Sequence, residues 1–368
     1  MKKARCRKGL IENAFHENNG TKYDWRITPA RPRGSGEYQL KTRTGTIFFA
    51  VLLAISPMAG RAFCGDTPGG GSPSPTHLAA APRAEDFDPT PGTPPALNVS
   101  GLRAYQNLKD FVAIGPRPLG SQGHSQAEQF ILDHLAGAQI EQDQFDAQTA
   151  AGTFPMDNII AKFPGKKDGI IVLAGHYDTN LPLKKTSYVG ANDGGSDVGL
   201  MLEIAREVRG QPLPGYSIWL VFTDGEEATV SWSDNDSVYG STHLASRWSQ
   251  DGTAAKVKAL LLLDMIGDKD LDVDRDENST AWLLDVVYRA AERTGEESHF
   301  FARNNAIEDD HLPFAAVGIP VADIIDMDYG IFNSFHHTTQ DTPDHCSAAS
   351  LQIVGDVVME TVRALNTH

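Results

Sequence analysis

Two adjacent glutamates at the end of an apolar run are the residues of this 368-residue chain best placed to do chemistry. Ile218-Trp219-Leu220-Val221-Phe222 passes through Thr223, Asp224 and Gly225 into Glu226-Glu227-Ala228. On an extended backbone, neighbouring side chains point in different directions, so one carboxylate can bind a metal while the other moves a proton. Taken alone, the same residues also fit a solvated acidic loop before a helix. Whether other polar residues arrive at the same place separates the two readings.

Apolar strands and helix starts deliver them at four further points. Gly169-Ile170-Ile171-Val172-Leu173-Ala174 runs into Gly175-His176-Tyr177-Asp178, and Leu260-Leu261-Leu262-Leu263 ends in Asp264. Asn192-Asp193-Gly194-Gly195 opens a helix, and His336-His337 follow the last apolar strand. Imidazole nitrogen and carboxylate oxygen without cysteine, with room left for substrate, is the donor set of a catalytic zinc site. Each residue has a plainer reading. His176 can be a core or loop histidine, Asp193 a helix N-cap, and His336-His337 a surface pair. Asp264, closing a four-leucine run, must find a cation or several donors. In an open α/β sheet ligands bind outside the carboxyl ends of strands, so arrival at one sheet edge favours a single site.

The positioning elements follow from hydrophobic spacing. Leu102, Tyr105, Leu108 and Phe111 fit a helix, as do Ala127, Phe130, Ile131 and Leu135. Strands are expected at 154–163, 169–174, 217–223, 260–266 and 319–325. Helices are expected through Val198–Val208 closed by Gly210, after Ser279-Thr280, and through Leu351–Leu365. This alternation predicts an α/β protein, a three-layer α/β/α sandwich with a central, mostly parallel mixed sheet.

Composition bounds the rest. Residues 1–63 hold 12 Lys/Arg against 4 Asp/Glu, and the formal charge of −16 therefore leaves −24 on the remainder. Such a surface repels nucleic acid and anionic membrane. Residues 1–63 read as a basic leader plus signal peptide, with the apolar run Ile47–Ile55 followed by small residues. The run is short for a membrane span, so the protein is expected to be exported, periplasmic or secreted, with tethering by this segment as the alternative. No further stable membrane partner is expected. Residues 64–97 are rich in Pro, Gly and Ser and read as a flexible linker. Residues 98–368 form the expected zinc-dependent catalytic domain, and a monomer is favoured. Cys6, Cys64 and Cys346 are too scattered for a disulfide framework.

The motifs GHYDT, GANDGG, DGEEA, LLLDMIG and HHTTQDT, in this order over roughly 102–368, resemble the co-catalytic zinc exopeptidase superfamily. Within it the chain is most similar to the glutaminyl-peptide cyclotransferases, or glutaminyl cyclases. Trp232-Ser233 before Asp236-Ser237-Val238-Tyr239-Gly240-Ser241, and Asp309-Asp310-His311-Leu312-Pro313-Phe314, carry that choice. The resemblance implies one zinc held by Asp193, Glu227 and His337, with Glu226 as general acid/base. It implies a hydrogen-bonded acidic pair, Asp264 and Asp309, and a substrate pocket walled by Trp232 and Phe332. Where animal cyclases have Trp before the zinc histidine, this chain has His336, which puts the pocket wall in question.

The chemistry implied is closure of an N-terminal glutamine of a peptide or protein to pyroglutamate with loss of ammonia. One rival is a zinc aminopeptidase, in which His176 and Asp264 join the ligands and two zincs bind. A second is a noncatalytic binding domain on the same fold.

Overall fold

The structure, a computed structural model, describes residues 81–367. The expected leader, signal segment and first half of the linker lie outside the described residues. Helices α1 (Gly101–Val112) and α2 (Gln122–His134) lead into the hairpin β1 (Gln139–Thr149) and β2 (Gly152–Phe163). The chain continues through β3 (Ile170–His176), α3 (Gly195–Val208), β4 (Ser217–Thr223), α4 (Tyr239–Asp251) and β5 (Val257–Asp264). It ends with β6 (Val273–Asp276), α5 (Ala281–Thr294), β7 (Phe300–Asn305), α6 (His311–Ala316), β8 (Val321–Ile325) and α7 (Ala348–Leu365).

Six strands form the main sheet in the order β1-β2-β4-β3-β5-β8. β2 pairs antiparallel with β1 and β4, whereas β4, β3, β5 and β8 run parallel. The apolar runs are continuous because helices cover both faces. Alternation then splits each run between two cores. Ile171, Leu173, Leu261 and Leu263 pack toward α1, α3, α5 and α7. Val172, Ala174, Leu260 and Leu262 pack with Leu244 and Trp248 of α4 and Phe314 of α6. The three-layer sandwich expected from the sequence is therefore present.

The sheet edges are closed in different ways. β1 alternates exposed polar residues along its length, with Glu141 paired to Lys162 and Arg247. At β8 the backbone N–H groups of Val321 and Asp323 donate to the hydroxyls of Thr280 and Ser279. Thr280 therefore spends its hydroxyl on the sheet instead of capping α5, the role its position predicts.

Two expectations change. Leu102 stands 77% exposed, and the inward face of α1 is Ala104, Leu108, Phe111 and Val112. The linker expected to reach residue 97 gives way to packed chain earlier: Phe87 is buried, stacked on Trp282 of α5, and Asp88 pairs with Arg289 and Arg293. An aromatic that finds an apolar surface offsets the ordering entropy of its neighbours.

Candidate active site

The parallel strands end on one side of the sheet, and the polar residues singled out above collect there. β3 ends in His176 and β5 in Asp264, while the turn after β4 carries Glu226 and Glu227. Asp193 precedes α3, whose N-cap is Gly194, so Asp193 faces the site and not the helix terminus. The loop after β8 returns His336 and His337. His337 Nε2 lies 3.1 Å from Glu227 Oε2 and 3.3 Å from Asp193 Oδ2. His176 Nε2 lies 3.0 Å from Asp193 Oδ1 and 3.7 Å from Asp264 Oδ1. Asp193 thus stands between two imidazoles, as a residue shared by both expected ligand sets would.

Surrounding groups fix these side chains. The Tyr188 hydroxyl donates to Asp193 Oδ2 at 2.5 Å, and Asn180 Nδ2 donates to Glu227 Oε2 at 2.7 Å. Glu226 N donates to Asp178 Oδ1 at 3.1 Å. Asp341, from the HHTTQDT stretch, accepts from the backbone of Asn192 and Asp193. Arg117, wholly buried, donates to the carbonyls of Tyr177, Val189 and Gly190 and so clamps the Asp193 loop to the end of β3. Met265 and His337, each beside or among the site residues, hold positive φ values of 50° and 52°. Non-glycine residues keep that conformation only where surrounding structure enforces it.

The electrostatics favour a cation and a proton carrier. Burial works against a charged His337, yet Asp193 and Glu227 push its imidazole up to about 11. That corner therefore strongly favours positive charge. Glu227 Oε1 and Asp264 Oδ1 are buried with no hydrogen-bond partner among the described residues. Orphaned carboxylate oxygens beside histidine nitrogen fit a zinc ion, which takes N and O donors. Burial raises the Glu226 carboxyl well above the ordinary range; His176 opposes the shift, and Asp309, Glu227 and Asp264 add to it. Burial likewise raises Asp309, with the charges of Asp323, Asp264 and Asp310 adding.

A cavity of about 510 Å³ opens onto this cluster, lined by Asp193, Glu226, Glu227, Asp264, Asp309, Trp232, Met265, Ile307, Met327, His336 and His337 among others. One expectation is corrected here. Phe332 does not wall the cavity: it is 96% exposed, because the backbone turns through positive φ at Phe332 and Asn333 and throws the ring outward. Asp264 and Asp309 both line the cavity, the charge of Asp264 adding to the rise of the Asp309 carboxyl, and Asp309 Oδ1 accepts from Asp310 N. The two carboxyls act on each other through space.

The loop that carries Asp309 is anchored by residues the sequence reading passed over. Asp276 accepts from Ile307 N at 3.0 Å, and His311 Nε2 lies 3.1 Å from Asp276 Oδ2. His311 Nδ1 faces Asp323 Oδ2 of β8 at 3.5 Å. All three side chains are buried.

Comparison with known proteins places this arrangement. Residues 158–362, which contain Asp193, Glu226, Glu227, Asp264, Asp309 and His337, match peptidase family M28. The chain belongs to peptidase family M28. Among solved M28-like structures, an Acidobacteriales bacterium glutaminyl cyclase is 51% identical, covering 76% of this chain and 99% of that one with a TM-score of 0.74. The glutaminyl-peptide cyclotransferase of Drosophila melanogaster is 26% identical over 76% of this chain and 88% of its own length. A Zn-dependent exopeptidase from Parabacteroides distasonis is 26% identical, covering 75% of this chain and all of its own, with a TM-score of 0.66. A glutaminyl cyclase and a Zn-dependent exopeptidase are thus both similar to this chain in fold.

Proposed function

We propose that this M28 enzyme is a glutaminyl-peptide cyclotransferase that closes N-terminal glutamine of peptides to pyroglutamate and releases ammonia. The observation that carries the reading is the 51% identity to a glutaminyl cyclase across 99% of that protein's length. Asp309, a buried carboxyl in the cavity of Glu226, supports it, because it stands where the resemblance to the cyclases expects an acidic residue beside the proton carrier.

Asp193, Glu227 and His337 would hold one zinc, which supplies Lewis-acid polarisation of an amide carbonyl when bound. The chain's own residues do the remainder. Trp232, Ile307 and Met327 offer apolar surface to the glutamine methylenes and bend the side chain toward its own amine. The amine nitrogen attacks the side-chain amide carbon, that carbon's bond to the amide nitrogen breaks, and ammonia leaves. Glu226 takes the proton released by the amine and returns it to the departing nitrogen, a task suited to a carboxyl whose hold on a proton burial strengthens. Asp264 and Asp309 hold that proton chemistry in an acidic, buried setting.

Zinc-dependent exopeptidase activity is the second reading, favoured by one observation: His176, Asp193 and Asp264 bring ligand atoms within 4.8 Å of one another, enough for a second metal. Mass spectrometry of a glutamine-initiated peptide separates the two. Chelator-sensitive loss of ammonia from an otherwise intact peptide supports the cyclase; free glutamine plus a shortened peptide supports the peptidase. We also propose export of the enzyme, on the apolar run Ile47–Ile55 and its small-residue flank. Cell fractionation tests it, and cytoplasmic retention would overturn it.

A further inference from the structure

His336 lies next to the expected zinc ligand His337 and near Asp193, with ligand atoms of all three within 4.8 Å of one another. Composition alone would make it another metal ligand. Hydrogen-bond direction says otherwise. The backbone N–H of Tyr329 can only donate, and it donates to Asn333 Oδ1 at 3.3 Å. The Asn333 side chain must therefore turn its NH₂ group to the opposite side, where Nδ2 lies 3.1 Å from His336 Nδ1. An amide NH₂ has only donors to offer, so Nδ1 is the acceptor and carries no proton. The neutral imidazole then bears its hydrogen on Nε2, and a protonated nitrogen has no lone pair for a metal.

That Nε2–H lies 3.8 Å from Asp193 Oδ2, beyond hydrogen-bond reach, and the ring lines the cavity. The cavity is otherwise rich in acceptors: Asp193, Glu226, Glu227, Asp264, Glu308 and Asp309. The amine and amide nitrogens of an N-terminal glutamine can pair with carboxylates. Negative charge gathers on its side-chain amide oxygen as the amine attacks, and a hydrogen-bond donor there would stabilise it further beside the bound zinc.

We propose that His336, held in the Nε2–H tautomer by Asn333, donates a hydrogen bond to the side-chain amide oxygen of the substrate and is not a metal ligand. The assignment rests on the cyclase reading for the identity of the acceptor, but not for the tautomer.

The test uses zinc-loaded full-length protein. Long-range ¹H–¹⁵N spectra of the imidazoles are expected to show His336 protonated at Nε2 and bare at Nδ1. His336→Ala should leave zinc affinity, measured by competition with a chromophoric chelator, within about twofold, while kcat falls roughly 10- to 100-fold with KM little changed. His336→Gln, which restores a donor, should recover part of kcat. Asn333→Asp keeps an acceptor for Tyr329 N and tolerates the left-handed backbone, but presents a carboxylate to Nδ1. It should draw the proton to Nδ1, free the Nε2 lone pair, tighten zinc and lower kcat. A proton on Nδ1 in the wild type, or zinc weakened tenfold or more in His336→Ala, overturns the inference with the functional reading intact. Wild-type protein that binds zinc and shows Nε2–H but never cyclises glutamine overturns the functional reading and, with it, the assigned acceptor.

Discussion

His124 Nε2 lies 2.7 Å from Asp224 Oδ1, and both side chains are buried. The bond ties α2 to the residue that begins the Glu226-Glu227 turn, while Asp224 Oδ2 accepts from Asp157 N of β2. Burial opposes the imidazolium, but Asp224 raises His124 to about 9. A histidine raised above its unfolded value of about 6.5 stabilises fully below that pH and loses the contribution as pH climbs through its folded value. Melting temperature is therefore expected to fall between about pH 6.5 and 9. His124→Gln should flatten this slope and lower stability at pH 6 by about 3 kcal/mol, the scale for breaking a buried pair. A pH profile shared by wild type and variant would remove His124 as its source.

Glu226→Gln should retain zinc at wild-type stoichiometry and lose about 10²- to 10⁴-fold in kcat, since the amide is nearly isosteric but cannot accept the amine's proton. Metal analysis and single-turnover ammonia release check both halves. Near-normal turnover would exclude the proton-carrying role.

Removal of zinc should abolish turnover and lower the melting temperature, because the carboxylates around His337 then face one another without a divalent counter-charge. His337→Ala should weaken zinc by at least about tenfold. Elemental analysis of the purified enzyme is expected to give one zinc per chain; two tightly held ions would favour the exopeptidase.

Arg117→Lys is expected to be far from conservative. Four backbone carbonyls, of Gly115, Tyr177, Val189 and Gly190, receive the planar guanidinium, and a single ammonium cannot span them. The variant should lose about 2–4 kcal/mol of stability and bind zinc more weakly, because the Asp193 loop loses its clamp. Denaturant melts with and without zinc separate the two effects.

The differences between sequence and structure have physical causes. Apolar strands such as Leu260–Leu263 are legible because two helical layers demand uninterrupted hydrophobicity, and a carboxylate ending that run announces a site. β1, reading Gln-Ile-Glu-Gln-Asp-Gln-Phe-Asp-Ala-Gln-Thr, carries no such signal, since one face and one edge meet water. Asp193, Glu227 and His337 were named from the resemblance of the motifs that carry them, and the fold brings the three side chains together. The supports could not be named this way. Arg117 in GPRPLGS looks like a loop residue, and only folding shows it wholly buried among carbonyls. Phe332 was misplaced because residue identity says nothing of the left-handed turn that ejects its ring. The anchors Asp276 and Asp323 sit in short segments whose partner, His311, is distant in sequence from Asp276 and close only in space.

The two sheet edges also bear on how copies of this chain meet. A strand offering free amides and carbonyls is a template on which another molecule can polymerise. Here one margin is guarded by repelling and tightly hydrated side chains, and the other has its amides already taken by Thr280 and Ser279. Growth of the main sheet from molecule to molecule is disfavoured at both of its margins, so the native fold presents no open strand of that sheet as a template for fibrils.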